Sequence, residues 1–158
     1  MNAVRIGLGI DVHRLAPGRP CTLGGVPIPS PVGPDAHSDG DVILHAACDA
    51  CLGAAGFEDL GTLFPDSDPA NAGRPSSEFC AEVVARIRRQ GLSVLSLDVV
   101  VEAERPRLAP HRSAIRARLA GLFAIDEECV NVKGKTGEGL DAIGRGEAIR
   151  ATAVALLG

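Results

Sequence analysis

No run of about 18 apolar residues occurs anywhere in the 158-residue chain, which excludes a membrane-spanning helix. A basic stripe is missing too. The densest positive stretch is Arg86-x-Arg88-Arg89, and the net charge is −4. Broad binding to nucleic acid needs clustered cations against the phosphates, so that class of function is excluded. Residues 1–10 lack the apolar core and small-residue cleavage site of a secretory leader. Cysteine is scarce and odd in number: Cys21, Cys48, Cys51, Cys80 and Cys129. Without a leader, that set reads as reduced thiols in the cytoplasm and not as a disulfide framework. Cys48-x-x-Cys51 lies in a helical stretch rich in Ala and Leu with no second pair elsewhere, so it reads as core filler and not as a redox or zinc pair. Lysine is nearly absent as well. Of 16 basic residues only Lys133 and Lys135 are lysine, and both stand beside a Gly-Thr-Gly-rich loop.

What remains is ordinary globular material, 46% hydrophobic and 23% charged. The length suits a single domain spanning 1–158, which can bury roughly two thirds of its unfolded surface. Residues 4–10 alternate as a strand, and 22–28, with Gly24-Gly25, read as a hairpin. Ser38-x-x-Asp41 fits a capping box opening a helix over 42–55, ended by Gly56. Residues 58–75 read as a long loop, and 77–90 as a second helix stopped by Gly91. A strand is expected over 93–103, a loop over 105–109, a third helix over 110–123 and a strand over 130–136. Residues 137–146 read as a loop. Residues 147–157 alternate like a strand, while their alanine content favours helix. The whole reads as an α/β (α+β) domain, a mixed β-sheet covered by helices.

Three of the four histidines fall in the first 45 residues. Asp11 and His13 are two apart at a strand end, so both side chains point the same way if the chain stays extended. His45 lies on the first long helix. One carboxylate and two imidazoles form a three-ligand zinc-type site with a fourth position open for water or a phosphate oxygen. Spacing alone leaves a second option: Asp-x-His is common, and a helix histidine beside Leu44 and Ala46 is often a satisfied core residue. In His37-Ser38-Asp39-Gly40-Asp41, the hydroxyl and acids are accounted for as helix-start residues, but His37 is not. Amides at a helix start bind phosphate, and an imidazole beside them adds a donor for developing charge. Asp59-Leu60-Gly61 and Phe64-Pro65-Asp66-Ser67-Asp68 form an acidic loop suited to sugar-alcohol hydroxyls, or simply a set of solvated turns. Lys133-Gly134-Lys135-Thr136-Gly137-Glu138 groups amides, a hydroxyl, two cations and a carboxylate, without the spacing of a Walker A loop. Gly144-Arg145-Gly146-Glu147 is a flexible turn with a charge pair.

These segments, in this order from Arg5 to Leu157, resemble the 2-C-methyl-D-erythritol 2,4-cyclodiphosphate synthase family of the non-mevalonate isoprenoid pathway. The resemblance rests on Gly9-Ile10-Asp11-Val12-His13, on His37 to Asp41 with His45, on Asp59 to Gly61 with Phe64 to Asp68, on Pro106 to His111, on Val130 to Lys133 with Thr136 and Glu138, and on Gly144 to Glu147. It implies that 4-diphosphocytidyl-2-C-methyl-D-erythritol 2-phosphate, a cytidine diphosphate ester, is converted to the cyclic diphosphate with release of CMP. It implies one zinc per chain on Asp11, His13 and His45, with Glu138 on a second divalent ion, magnesium or manganese. His37 and Thr136 would stabilise the transition state. Asp11, His13, Ser38, Asp59, Leu60, Gly61, Phe64, Pro65, Asp66, Ser67 and Asp68 would face the methylerythritol diphosphate. Ala103, Arg107, Leu108, Ala109, Gly134, Lys135 and Thr136 would frame the cytidine phosphate, and Gly137, Glu138 and Arg145 would also contact substrate. The resemblance further implies a cytoplasmic homotrimer with each site at a seam between chains. The chain departs from many relatives at Leu140-Asp141-Ala142-Ile143, where they carry Gly-Phe. Two other functions compete: a zinc phosphohydrolase that yields no cyclic product, and a non-catalytic module in which metal only braces the fold.

Overall fold

Alternation along the first strand sets the architecture. In β1 (Arg5–Pro17), Gly7, Gly9, Asp11 and His13 face one side, while Ile6, Leu8, Ile10 and Val12 stand on the other. The computed structural model describes residues 4–65 and 67–158. β2 (Thr22–Leu23) and β3 (Val26–Pro27) make a short hairpin, and β4 (Val32–Pro34) pairs antiparallel with the end of β1. Then follow α1 (Val42–Ala55), α2 (Leu60–Leu63), α3 (Ser76–Arg89), β5 (Val94–Glu102), α4 (Arg112–Phe123), β6 (Val130–Lys135), α5 (Asp141–Gly144) and β7 (Ala148–Leu157). The five-stranded sheet runs β4-β1-β7-β5-β6. Only β5 and β6 among these neighbours are parallel. The expected mixed sheet with helices is therefore present.

α1 lies across β1, β7 and β5, while α3 packs on α1 and α4 packs on β6 and α3. The core gathers Ile43, Leu44 and Leu52 from α1, Leu97 and Val99 from β5, Ile115 and Leu119 from α4, and Ile149 and Leu157 from β7. Two glycines bring α1 unusually close to β1. A Cβ at Gly7 or at Gly9 would lie 2.0 Å from the Ala50 or Ala46 carbonyl oxygen respectively. The opposite sheet face carries an apolar row along β1, with Ile6 72%, Leu8 60%, Ile10 55% and Val12 56% exposed.

Several expectations need correction. Asp41, not Ser38, caps α1: its carboxylate accepts from Leu44 N at 3.1 Å and also from the Gly24 and Gly25 amides at 2.8 and 2.6 Å. Ser38 Oγ instead accepts from Gly40 N, tightening the preceding turn. The 58–75 segment is not structureless, because Asp59 caps α2 and Asp68 caps a 3-10 turn at Pro69–Asn71. The third helix begins at Arg112, after a 3-10 turn at Ala109–His111. The 137–146 segment contains α5. The alanine-rich end is β7, a strand wedged between β1 and β5 with alternate residues buried. Cys48, Cys51 and Cys80 are fully buried, as core filler should be, and Cys48 Sγ sits 3.2 Å from Cys80 Sγ. All five thiols are free. Among the described residues no helix is long and apolar enough to cross a membrane.

Candidate metal centre and substrate cavities

The close approach of α1 to β1 places His45 over Asp11 and His13, which lie in the middle of β1 and not at the expected strand end. Asp11 Oδ2 lies 3.1 Å from His45 Nδ1 and 3.0 Å from His13 Nε2. The three ligand atoms all fall within 4.8 Å of one another. Tetrahedral bonds of ~2.0 Å put ligand atoms roughly 3.3 Å apart, so this triangle is the right size for a small divalent cation. His13 Nε2 is buried and makes no hydrogen bond of acceptable angle, despite its short distance to Asp11. A buried imidazole nitrogen left this way is costly unless something else binds it, and a metal ion is such a partner.

The other side of His45 is tied down. The Ser76 backbone N–H donates to Asp39 Oδ2 at 2.9 Å, and the Ser76 hydroxyl donates to Asp39 Oδ1. Its oxygen is thereby left to accept from His45 Nε2–H at 2.8 Å. That hydrogen bond assigns the proton to Nε2 and leaves Nδ1 turned toward Asp11, which is how an outer contact orients a metal ligand. Burial would push the Asp11 carboxyl up. The two imidazoles of His13 and His45 beside it outweigh burial and hold Asp11 well below the usual carboxylate range. Burial likewise pulls His45 down, but Asp11 outweighs it and holds the imidazole above its ordinary value.

The triad opens into a cavity of about 330 Å³ lined also by His37, Ser38, Leu60, Gly61 and Phe64. Sequence reasoning missed Asp35, Asp49, Asn71 and Phe79, which share this wall. Asp49 was detectable in principle, since it sits four residues after His45 on one helix face. Asp59 and Asp68 act as caps, and they, Pro65 and Ser67 are not among the lining side chains. Asp66 lies outside the described residues.

A second cavity, of about 420 Å³, gathers Ala103, Arg107, Leu108, Ala109, Gly134, Lys135 and Thr136 where β5 and β6 end. Glu104, Pro106 and Arg112 join them. The Thr136 hydroxyl donates to Glu138 Oε1 at 3.1 Å, and Gly137 N donates to Glu104 Oε1 at 2.8 Å. Glu138 sits at φ 52, a left-handed conformation that costs a non-glycine residue about 1–2 kcal/mol. It joins no three-ligand cluster among the described residues. Arg145 pairs with Glu147. The two cavities share no lining residue.

A mixed sheet with helices, an Asp-His-His cluster at ligand spacing and an open cavity beside it define an α/β domain with a candidate metal site. The sequence profile of the YgbB family matches residues 4–158. A 2-C-methyl-D-erythritol 2,4-cyclodiphosphate synthase from Desulfosudis oleivorans is 48% identical over 98% of this chain and 92% of its own length. The synthase of that name from Aromatoleum aromaticum is 50% identical over 97% and 93%. A solved structure of such a synthase in a CDP-bound form superposes with a TM-score of 0.91 at 44% identity, covering 98% of this chain and all of that one. The chain belongs to the YgbB family of cyclodiphosphate synthases.

Proposed function

We propose that the chain converts 4-diphosphocytidyl-2-C-methyl-D-erythritol 2-phosphate into 2-C-methyl-D-erythritol 2,4-cyclodiphosphate and CMP, as a lyase of isoprenoid precursor synthesis. The observation that carries this reading is the three-donor cluster with its orphaned His13 nitrogen, opening into the His37 cavity in a chain of this family. One P–O bond forms, from a 2-phosphate oxygen to the β-phosphorus. One breaks, from that phosphorus to the oxygen leading to CMP, which leaves as the monophosphate. Both reacting groups belong to one molecule, so positioning supplies much of the rate and no side chain has to act as nucleophile.

Asp11, His13 and His45 would hold zinc, which when bound supplies a Lewis-acidic centre for the diphosphate. Glu138 would help hold magnesium or manganese. His37, exposed at the cavity wall, would donate to charge developing on the transferring group, and Thr136 would do so from the second cavity. Ser38, Leu60, Gly61 and Phe64 would receive the methylerythritol end, with Asp59, Pro65, Ser67 and Asp68 near its rim. Ala103, Arg107, Leu108, Ala109, Gly134 and Lys135 would frame the cytidine phosphate, with Gly137 and Arg145 at its edge. The free thiols support a reducing, cytoplasmic setting.

The reading includes a homotrimer whose neighbouring chains face the two cavities toward each other. It is supported by their separation within one chain and by the exposed apolar row on β1. Phosphorus NMR of the protein with the cytidyl substrate and magnesium should show a cyclic diphosphate growing as substrate disappears. An open-chain diphosphate beside CMP would favour the hydrolase instead. Refolding His45→Ala together with Thr136→Ala should restore part of the activity that each lacks alone. Exchanged chains that recover nothing would put the site within one chain.

A further inference from the structure

One wall of the metal-side cavity is built from the 57–75 segment, which contributes Leu60, Gly61, Phe64 and Asn71. Little of this segment is buried: Leu60 and Asn71 are, Phe64 is half-buried, and Asp59, Gly61, Thr62 and Pro65 are exposed. Its shape is instead held by Arg74, which does not line the cavity. Arg74 Nη1 donates to Asn71 Oδ1 at 3.2 Å, and Asn71 in turn donates from Nδ2 to the Pro65 carbonyl at 3.1 Å. The guanidinium stands 4.7 Å from the Phe79 ring centre and 5.9 Å from that of Phe64, and the two rings are 4.9 Å apart. Arg74 Nε and Nη2 are held by Glu78 at 3.1 Å and Glu82 at 2.7 Å.

This placement runs against local electrostatics. Arg74 precedes the N-cap Pro75 of α3, where the helix dipole disfavours a cation. Two carboxylates one and two turns along α3 and the two nearby rings offset the dipole and hold the guanidinium beside Phe79, Phe64 and Asn71.

We propose that Arg74 is a positioning residue for substrate: it latches the 57–75 wall onto α3 and so shapes the part of the cavity that receives the non-nucleotide end. This rests on the activity proposed above. Lysine cannot reproduce the fork that reaches Asn71 and both glutamates at once.

The test compares wild type, Arg74→Ala and Arg74→Lys, all as full chains with zinc. Three readouts are needed: steady-state kinetics with the cytidyl diphosphate ester, calorimetric affinity for CMP, and amide hydrogen exchange across residues 60–72. Arg74→Ala should raise KM about tenfold, the scale of one cation–π contact with a partly exposed ion pair, and leave kcat within about twofold. Arg74→Lys should fall between, because it keeps the charge and loses the fork. CMP affinity and zinc content should stay at wild-type values, while the 60–72 amides exchange faster. Unchanged KM and unchanged exchange would overturn the proposal. So would a matched loss of kcat, CMP affinity and zinc, which would make Arg74 a general support of the fold. If wild type does not turn over the ester, the proposed activity fails, and the exchange readout still decides the latch.

Discussion

Gly9→Ala is the smallest change that bears on both the fold and the metal centre. Its Cβ would lie 2.0 Å from Ala46 O and 2.6 Å from Ala50 N, both backbone atoms of α1 that cannot rotate away. Ordinary contact begins near 3.4 Å, so β1 and α1 must separate by about 1.4 Å along the tighter contact, the difference of those two distances. Asp11 and His13 are on β1 and His45, adjacent to Ala46, is on α1, so the metal site spans the gap that must open. Metal–ligand bonds tolerate displacements of about 0.2 Å, so one ligand bond is lost. The expected cost is about 1–3 kcal/mol in stability from overpacking. Zinc affinity should fall beyond the roughly ten- to hundredfold typical of outer-contact mutations. Competition with a chromogenic chelator measures the affinity, and urea denaturation the stability. Gly53→Ala on the same helix is the control, because nothing lies within 4 Å of its added Cβ. It should stabilise by about 0.5–1 kcal/mol and leave zinc binding alone. Wild-type zinc affinity in Gly9→Ala, with α1 unmoved in its crystal structure, would refute the reasoning.

Two further outcomes follow from the charged groups. In the metal-stripped protein, His45's raised value stabilises the fold below its ordinary 6.5 and that contribution is lost as pH rises through the higher folded value. Asp11's depressed value contributes above its ordinary 3.8 and is lost only far into acid. Zinc needs neutral imidazoles, so the melting-temperature gap between loaded and stripped protein should widen from about pH 6 to about pH 8; a constant gap would remove His45 from the ligand set. Asp41 is pushed up to about 6, chiefly by burial against the pull of the Gly25, Gly24 and Leu44 amides. Its stabilising contribution is therefore complete below about pH 4 and lost as pH rises through about 6, so wild type should lose about 3 kcal/mol relative to Asp41→Asn over that window. Asp41→Ala, which orphans two glycine amides and a helix cap, should cost about 3–5 kcal/mol below about pH 4, and less above about pH 6 by the amount that wild type itself loses there. Urea titrations across pH check both.

α1, β5 and β6 were legible because period and punctuation agreed in each, whereas β1 runs on to Pro17, past the expected end at Ile10. The α1 cap was misread because Ser38 and Asp41 are both good cap residues. What decides between them is the pair of Gly24 and Gly25 amides arriving from a hairpin distant in sequence. β7 was obscured by alanine, whose helix preference yields to a slot with strands on both sides. The Asp11-His13-His45 set was visible as residue types, but its convergence depends on two glycines admitting a helix, which spacing does not reveal. Ser76 and Arg74 were missed because each acts through another residue and belongs to no motif.

The place of β7 in the sheet orders events during synthesis. β7 stands between β1 and β5, and pairs with both along most of its length. A nascent chain that has not yet reached Ala148 therefore carries every residue of the metal triad, yet β1 and β5 have no strand to join them. Arrival of the triad residues and closure of the sheet are therefore separate in the order of synthesis. Until the last strand arrives, the edges of β1 and β5 stay unpaired, open to pairing with another chain.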